Sequence, residues 1–187
     1  LSWYNNTDVD PATGLTPYIN MQKVLKVCHD FVDNFDNTFS NLLFIGQTGV
    51  GKTFLSNCIA RALMDSCHSI IYLTAGEFFD SFKSDDFKEF GSSKFDTSFF
   101  VECDLLIIDD LGTEKASDYN FSNLFNTINE RLLRRKSIII SSNLEMPDIE
   151  TRYSQRIFSR LVSAYSILRR FGDDIRCMKK LSPTKRS

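Results

Sequence analysis

The stretch Gly46-Gln47-Thr48-Gly49-Val50-Gly51-Lys52-Thr53 constrains this chain more than any other. It fills every fixed position of the pattern G-x-x-x-x-G-K-[ST], a loop whose glycines let backbone N–H groups turn inward on an anion. Its flanks are those the pattern needs. Leu42-Leu43-Phe44-Ile45 before it is a short apolar run suited to a buried strand. Lys52–Met64 after it places Phe54, Leu55, Cys58, Ile59, Ala62 and Leu63 at helical steps on one face. The helix would point its positive N-terminal end at the same anion. The spacing predicts a nucleoside tri- or diphosphate, ATP or ADP, held by residues Gly46 to Phe54. Lys52 would reach the β- and γ-phosphates, and the Thr53 hydroxyl would bind Mg²⁺.

The rest of the chain alternates strands with helices. A helical period runs from Tyr18 to Phe35 through Val24, Leu25, Cys28, Phe31 and Val32. Ser69–Leu73, Leu105–Ile108 and Ser137–Ser142 read as further strands, and Ser166–Arg170 as a fifth. Residues 75–100 hold one or two helices. Asp118–Arg135 and Ser154–Ala164 are helical, and Pro147 opens a short helix between them. Strands that are nearly continuous in apolar residues imply a parallel sheet covered on both faces, hence an α/β, three-layer αβα fold. Residues 1–17, broken by Pro11, Gly14 and Pro17, form an irregular lead-in, 18–178 the domain, and 179–187 a frayed basic tail.

Composition narrows the class further. No apolar run approaches the roughly 20 residues of a membrane-spanning helix. The five cysteines are scattered without any Cys-x-x-Cys pair, which argues against a zinc site and a disulfide framework. Cys28 and Cys58 are expected on apolar helix faces. A reducing, cytoplasmic setting follows. Net charge is −2, yet residues 1–130 carry −11 and residues 131–187 carry +9. The basic end is either a surface bias or a face for phosphates or an acidic neighbour.

The pair Asp109-Asp110 follows the apolar run Leu105–Ile108. A triphosphate site of this kind needs a carboxylate near Mg²⁺ at the C-terminal end of a neighbouring strand. Asp109 fits that role, acting on Mg²⁺ through water, and Asp110 is placed to orient an attacking water. Asn143, ending the Ile138–Ile140 strand, would stand beside the γ-phosphate if that strand neighbours the other two.

Leu105–Gly112, Ser141-Ser142-Asn143-Leu144 and Tyr153–Leu161, in this order and spacing, resemble the AAA+ ATPases that load bacterial replicative helicases, the DnaC/DnaI type with an IstB-like ATP-binding core. The resemblance covers roughly residues 18–178. It implies that Asn143 senses the γ-phosphate. It implies that Arg160 is an arginine finger acting in trans on the next subunit of a head-to-tail assembly, with Arg156 one turn earlier in support. It likens Arg176, in Gly172-Asp173-Asp174-Ile175-Arg176, to the second sensor arginine. The AAA+ helical lid is expected to be absent or minimal. A helicase-binding segment is expected to precede the chain, which starts at Leu1 without a Met. Many AAA+ proteins have Asp-Glu where this chain has Asp109-Asp110, which leaves the hydrolysis rate open; slow turnover is expected of the isolated chain, because half of its site would come from a neighbouring copy.

The same resemblance implies two partners, a DnaB-type replicative helicase and single-stranded DNA. For DNA the candidates are Lys83 and Lys88, interleaved with aromatics in Phe82-Lys83 and Phe87-Lys88. Asp80, Asp85, Asp86 and Glu89 oppose this, and core packing of the Phe residues is the competing reading. Three other functions stay open: an IstB-like transposition ATPase, a P-loop kinase, and a nucleotide-gated binding module.

Overall fold

Every strand but the two at the edges of the sheet is buried on both sides, which is why the apolar runs show no polar alternation. The computed structural model describes residues 4, 7–11, 13–86, 97–115 and 117–177. Its elements are α1 (Pro17–Asp33), β1 (Leu42–Ile45), α2 (Lys52–Asp65), β2 (Ile70–Thr74), α3 (Ala75–Asp86) and α4 (Phe99–Glu102). There follow β3 (Leu105–Leu111), α5 (Asp118–Leu133), β4 (Ser137–Ser142), α6 (Met146–Arg152), α7 (Gln155–Ala164) and β5 (Ser166–Arg169). All five strands are parallel, in the order β2-β3-β4-β1-β5.

Strand residues alternate between the two faces, and two cores result. Leu42, Phe44, Leu105, Ile107 and Ile139 pack on Val24 and Phe31 of α1 and Leu55, Ile59 and Leu63 of α2. Leu43, Ile45, Leu106, Ile108, Ile138 and Ile140 face Phe78, Phe100, Leu124, Ile128 and Leu161 from the helices of the other layer. The helix starts carry the expected caps: the Thr16 hydroxyl accepts from Ile19 N, Ser117 from Asn120 N, and Ser154 from Ile157 N.

Of the 17 phenylalanines, Phe31, Phe44, Phe78, Phe79 and Phe100 are buried in the core, and Phe35, Phe82, Phe121, Phe125 and Phe158 pack against it. Phe82 packs its ring on Phe78 and Phe100, with centroids 5.1 and 5.7 Å apart, and such pairs add about 0.5–1.5 kcal/mol beyond burial. Phe82 is therefore not a platform for a stacked base, and Lys83 beside it pairs with Asp80 at 2.7 Å. Lys88 lies outside the described residues, as does the basic tail. Two expectations for α2 are corrected. Cys58 and Phe54 are exposed, because the buried stripe is the narrower one of Leu55, Ile59 and Leu63.

Part of the positive charge of the C-terminal half is structural. Arg131 is fully buried, and its two terminal nitrogens donate to the carbonyls of Phe100, Cys103, Asp104 and Ser137 at 2.6–3.1 Å. It thereby ties α4, α5 and the starts of β3 and β4 together. Burial lowers its pKa. Arg131→Met is expected to cost about 3–5 kcal/mol in unfolding free energy, because it orphans buried carbonyls. Urea denaturation followed by circular dichroism checks this.

Candidate nucleotide site

The strand order decides what can meet at the C-terminal edge of the sheet. Because β4 lies between β1 and β3, the loop after β1, the acidic end of β3 and the residue after β4 are neighbours, where open α/β sheets bind ligands. A cleft of about 650 Å³ opens there. Its polar end is lined by Thr48, Gly49, Gly51, Lys52 and Thr53 on one side and Asp109, Asp110 and Asn143 on the other.

Gly51, at φ +99°, caps α2 in a left-handed conformation, and Lys52 begins the helix. Lys52 is 4% exposed. Its ammonium donates to Gly46 O at 2.6 Å, Gln47 O at 2.8 Å and Asn143 Oδ1 at 2.7 Å. Burial pushes its pKa down, and the Asp110 and Asp109 carboxylates oppose that shift. The loop leans on the segment after β5. A Cβ on Gly46, at φ +132°, would run into the Arg170 carbonyl, and one on Gly49, at φ +84°, into the Asp174 carboxylate. Ile175 N donates to Gly49 O at 3.1 Å.

Asp109 and Asp110 lie inside β3, which runs on to Leu111; the expected strand end at Ile108 is too early. Successive strand residues should face opposite sides, yet both carboxylates line the cleft. Asp110 sits at φ +58°, and the β3–β4 register shifts between Ile108 and Leu111. Such an irregularity re-aims a side chain. Asp109, 4% exposed, accepts hydrogen bonds from the Ser141 hydroxyl at Oδ1 and from the Tyr72 hydroxyl at Oδ2, the latter at 2.8 Å. Asp110 N donates to Ser141 Oγ at 3.0 Å, and Asn143 Nδ2 approaches Asp110 Oδ1 at 3.5 Å.

The same cleft has an apolar lining of Tyr4, Met21, Leu25, Phe54 and Ile175, of which the sequence pointed to Phe54 alone. Met21 and Leu25 come from α1, where their period is indistinguishable from core packing. Tyr4 belongs to the irregular lead-in; its ring lies under the Arg170 guanidinium at 5.1 Å, and its hydroxyl donates to Val50 O at 3.4 Å. Arg170, 1% exposed, also donates to Asn20 Oδ1. Arg176 lines the cleft, with its Nε 3.5 Å from Asp174 Oδ1.

Arg160 is not brought to this cleft. It lies half-buried on α7, with Nη2 3.3 Å from Asn129 Oδ1 and the guanidinium 5.9 Å from the centre of the Phe125 ring. With Arg156, Gln155 and Ser159 it borders a separate depression on the surface.

Oxygen donors at Thr53 and Asp109 suit a hard cation such as Mg²⁺. Among the described residues no group of three or more His, Cys, Asp or Glu could hold a metal alone. Mg²⁺ typically takes one or two carboxylates together with substrate phosphates and waters. No described helix is long and apolar enough to cross a membrane.

A five-stranded parallel sheet, helices on both faces and a G-x-x-x-x-G-K-T loop after β1 define a P-loop domain of the AAA+ type. The chain belongs to the family of IstB-like ATP binding proteins, whose model matches residues 19–181. It is 32% identical over 111 residues to the phage-like element PBSX protein XkdC of Bacillus subtilis, covering 56% of this chain and 40% of that one. It is 23% identical over 138 residues to the replicative helicase loader DnaC of Escherichia coli K12, covering 73% and 56%. The crystal structure of the DnaC helicase loader superimposes with a TM-score of 0.71 at 22% identity, over 82% of this chain and 91% of that one. The chain thus spans about half the length of the curated relatives it matches.

Proposed function

We propose that this chain is the ATP-binding and ATP-hydrolysing core of a protein that helps load a replicative helicase onto single-stranded DNA. The meeting of Lys52, Asn143, Asp109 and Asp110 in one cleft carries the ATPase part. The family match and the similarity to the DnaC loader support the rest.

In this reading the backbone of Gly46–Thr53 cradles the phosphates while Lys52 trades its carbonyl partners for phosphate oxygens. Asn143, already bonded to Lys52, meets the same γ-phosphate. Mg²⁺, held at Thr53 and through water at Asp109, would neutralise charge between the β- and γ-phosphates. Asp110, re-aimed by its backbone, orients the attacking water. Arg176 reaches the phosphates from the segment that packs on Gly49. Tyr4, Met21, Leu25, Phe54 and Ile175 supply an apolar seat for the base. Arg160, outside the cleft, acts on the nucleotide of a neighbouring copy stacked head to tail. The domain occupies residues 18–178.

The match to IstB-like ATP binding proteins keeps a second reading in play, the IstB-like transposition ATPase that the sequence left open. Affinity purification of the full-length protein separates the two. Co-purification with a DnaB-type helicase is expected; recovery of a transposase in its place would favour the second reading.

A further inference from the structure

The two protein groups proposed to hold Mg²⁺ lie on different elements, Thr53 on α2 and Asp109 on β3. A chain of hydrogen bonds joins them away from the phosphate loop. Asn57, one turn after Thr53, donates through Nδ2 to Thr53 O at 2.8 Å and to the Tyr72 hydroxyl at 3.3 Å. The Tyr72 hydroxyl in turn donates to Asp109 Oδ2 at 2.8 Å. The other carboxylate oxygen is held by Ser141.

We propose that Tyr72, through Asn57, is a positioning residue that sets the orientation of Asp109 and its spacing from Thr53 for Mg²⁺. This rests on the reading of Thr53 and Asp109 as the metal site. Two observations favour it. Tyr72 is only half-buried on the edge strand β2, so packing alone does not call for a tyrosine over a phenylalanine. The hydrogen bonds that its hydroxyl makes among the described residues are those of this bridge. With both oxygens pinned by hydroxyl donors, Asp109 cannot rotate freely about its carboxyl bond, and its remaining lone pairs are presented in a fixed direction. Partners of metal ligands that act in this way typically change metal affinity by 10–100-fold when removed.

The test is Mg²⁺ titration of fluorescent ATP-analogue binding to the purified protein, with parallel measurements in EDTA. Tyr72→Phe removes one oxygen and keeps the ring. It is expected to move the Mg²⁺ midpoint upward by about tenfold or more, while binding in EDTA and the melting temperature of the metal-free protein stay unchanged. Asn57→Ala, at an exposed position, is expected to move the midpoint in the same direction by a smaller factor. A Tyr72→Phe midpoint within about twofold of the wild type, or below it, overturns the bridge. Wild-type binding that ignores Mg²⁺ overturns the metal-site reading itself, and Asp109→Asn identifies that case by also having no effect.

Discussion

Lys52→Ala is expected to abolish ATP turnover and to weaken nucleotide binding by about 10–100-fold, the factor that follows when a charge-assisted contact worth about 1.5–3 kcal/mol is lost. Three features of the site argue for an effect this large. The ammonium is buried at the start of α2, so no water takes its place cheaply. It bridges both halves of the cleft, from Gly46 O and Gln47 O to Asn143 Oδ1. It also stands in the field of Asp109 and Asp110, whose negative charge would repel a triphosphate once the lysine is gone. Isothermal titration with ADP and phosphate release from ATP measure the two effects separately. Unchanged turnover would move the hydrolytic site elsewhere.

Arg160→Ala is expected to leave nucleotide binding intact and to lower assembly-stimulated turnover by about 10³–10⁵, the range of an arginine finger. The geometry supports action in trans. Ile157 and Leu161 anchor the buried face of α7 in the core, and Arg160 projects from its flank toward Phe125 and Asn129, outside its own cleft. Its hydrogen bond to Asn129, 3.3 Å long, is easily exchanged for a phosphate oxygen. Loss of nucleotide binding by the isolated Arg160→Ala chain would mean that the residue serves its own site, against this placement.

The layered fold was legible because burial on both faces writes itself into the strands. Ile138-Ile139-Ile140 and Leu105–Ile108 cannot be half-exposed strands, and only a sheet between two helical layers accepts them. The phosphate loop was legible because its chemistry is local: the glycines, Lys52 and Thr53 are consecutive, and the flanking strand and helix follow from short-range periodicity. Strand order is a long-range property. Whether Asn143 could meet Lys52 depended on β4 pairing with both β1 and β3, which no local pattern encodes.

What escaped the sequence did so for definite reasons. Asp110 was expected at the site, but the left-handed backbone and the register shift that aim it into the cleft were not, because a non-glycine residue gives no sign of either. The apolar lining of the cleft draws on Met21 and Leu25, whose spacing is that of ordinary core, and on Tyr4, far away in sequence. Arg131 and Arg170 counted toward a basic surface, yet both are buried and bonded to neighbouring backbone or amide oxygens. Helical periodicity widened the buried stripe of α2 to include Cys58 and Phe54, since a one-dimensional count cannot tell the centre of a face from its flank. Phe82 was ambiguous beside Lys83 until the rings of Phe78 and Phe100 were placed against it.

The central claim is that the cleft is half of a site completed by a neighbouring copy, and mixing two inactive variants tests it most directly. Lys52→Ala supplies an intact Arg160, and Arg160→Ala supplies an intact phosphate loop. Phosphate release is measured for each variant alone and for an equimolar mixture under assembly conditions. Each alone is expected to be inactive, and the mixture to recover a substantial part of wild-type turnover. A mixture no more active than its components would contradict a shared site.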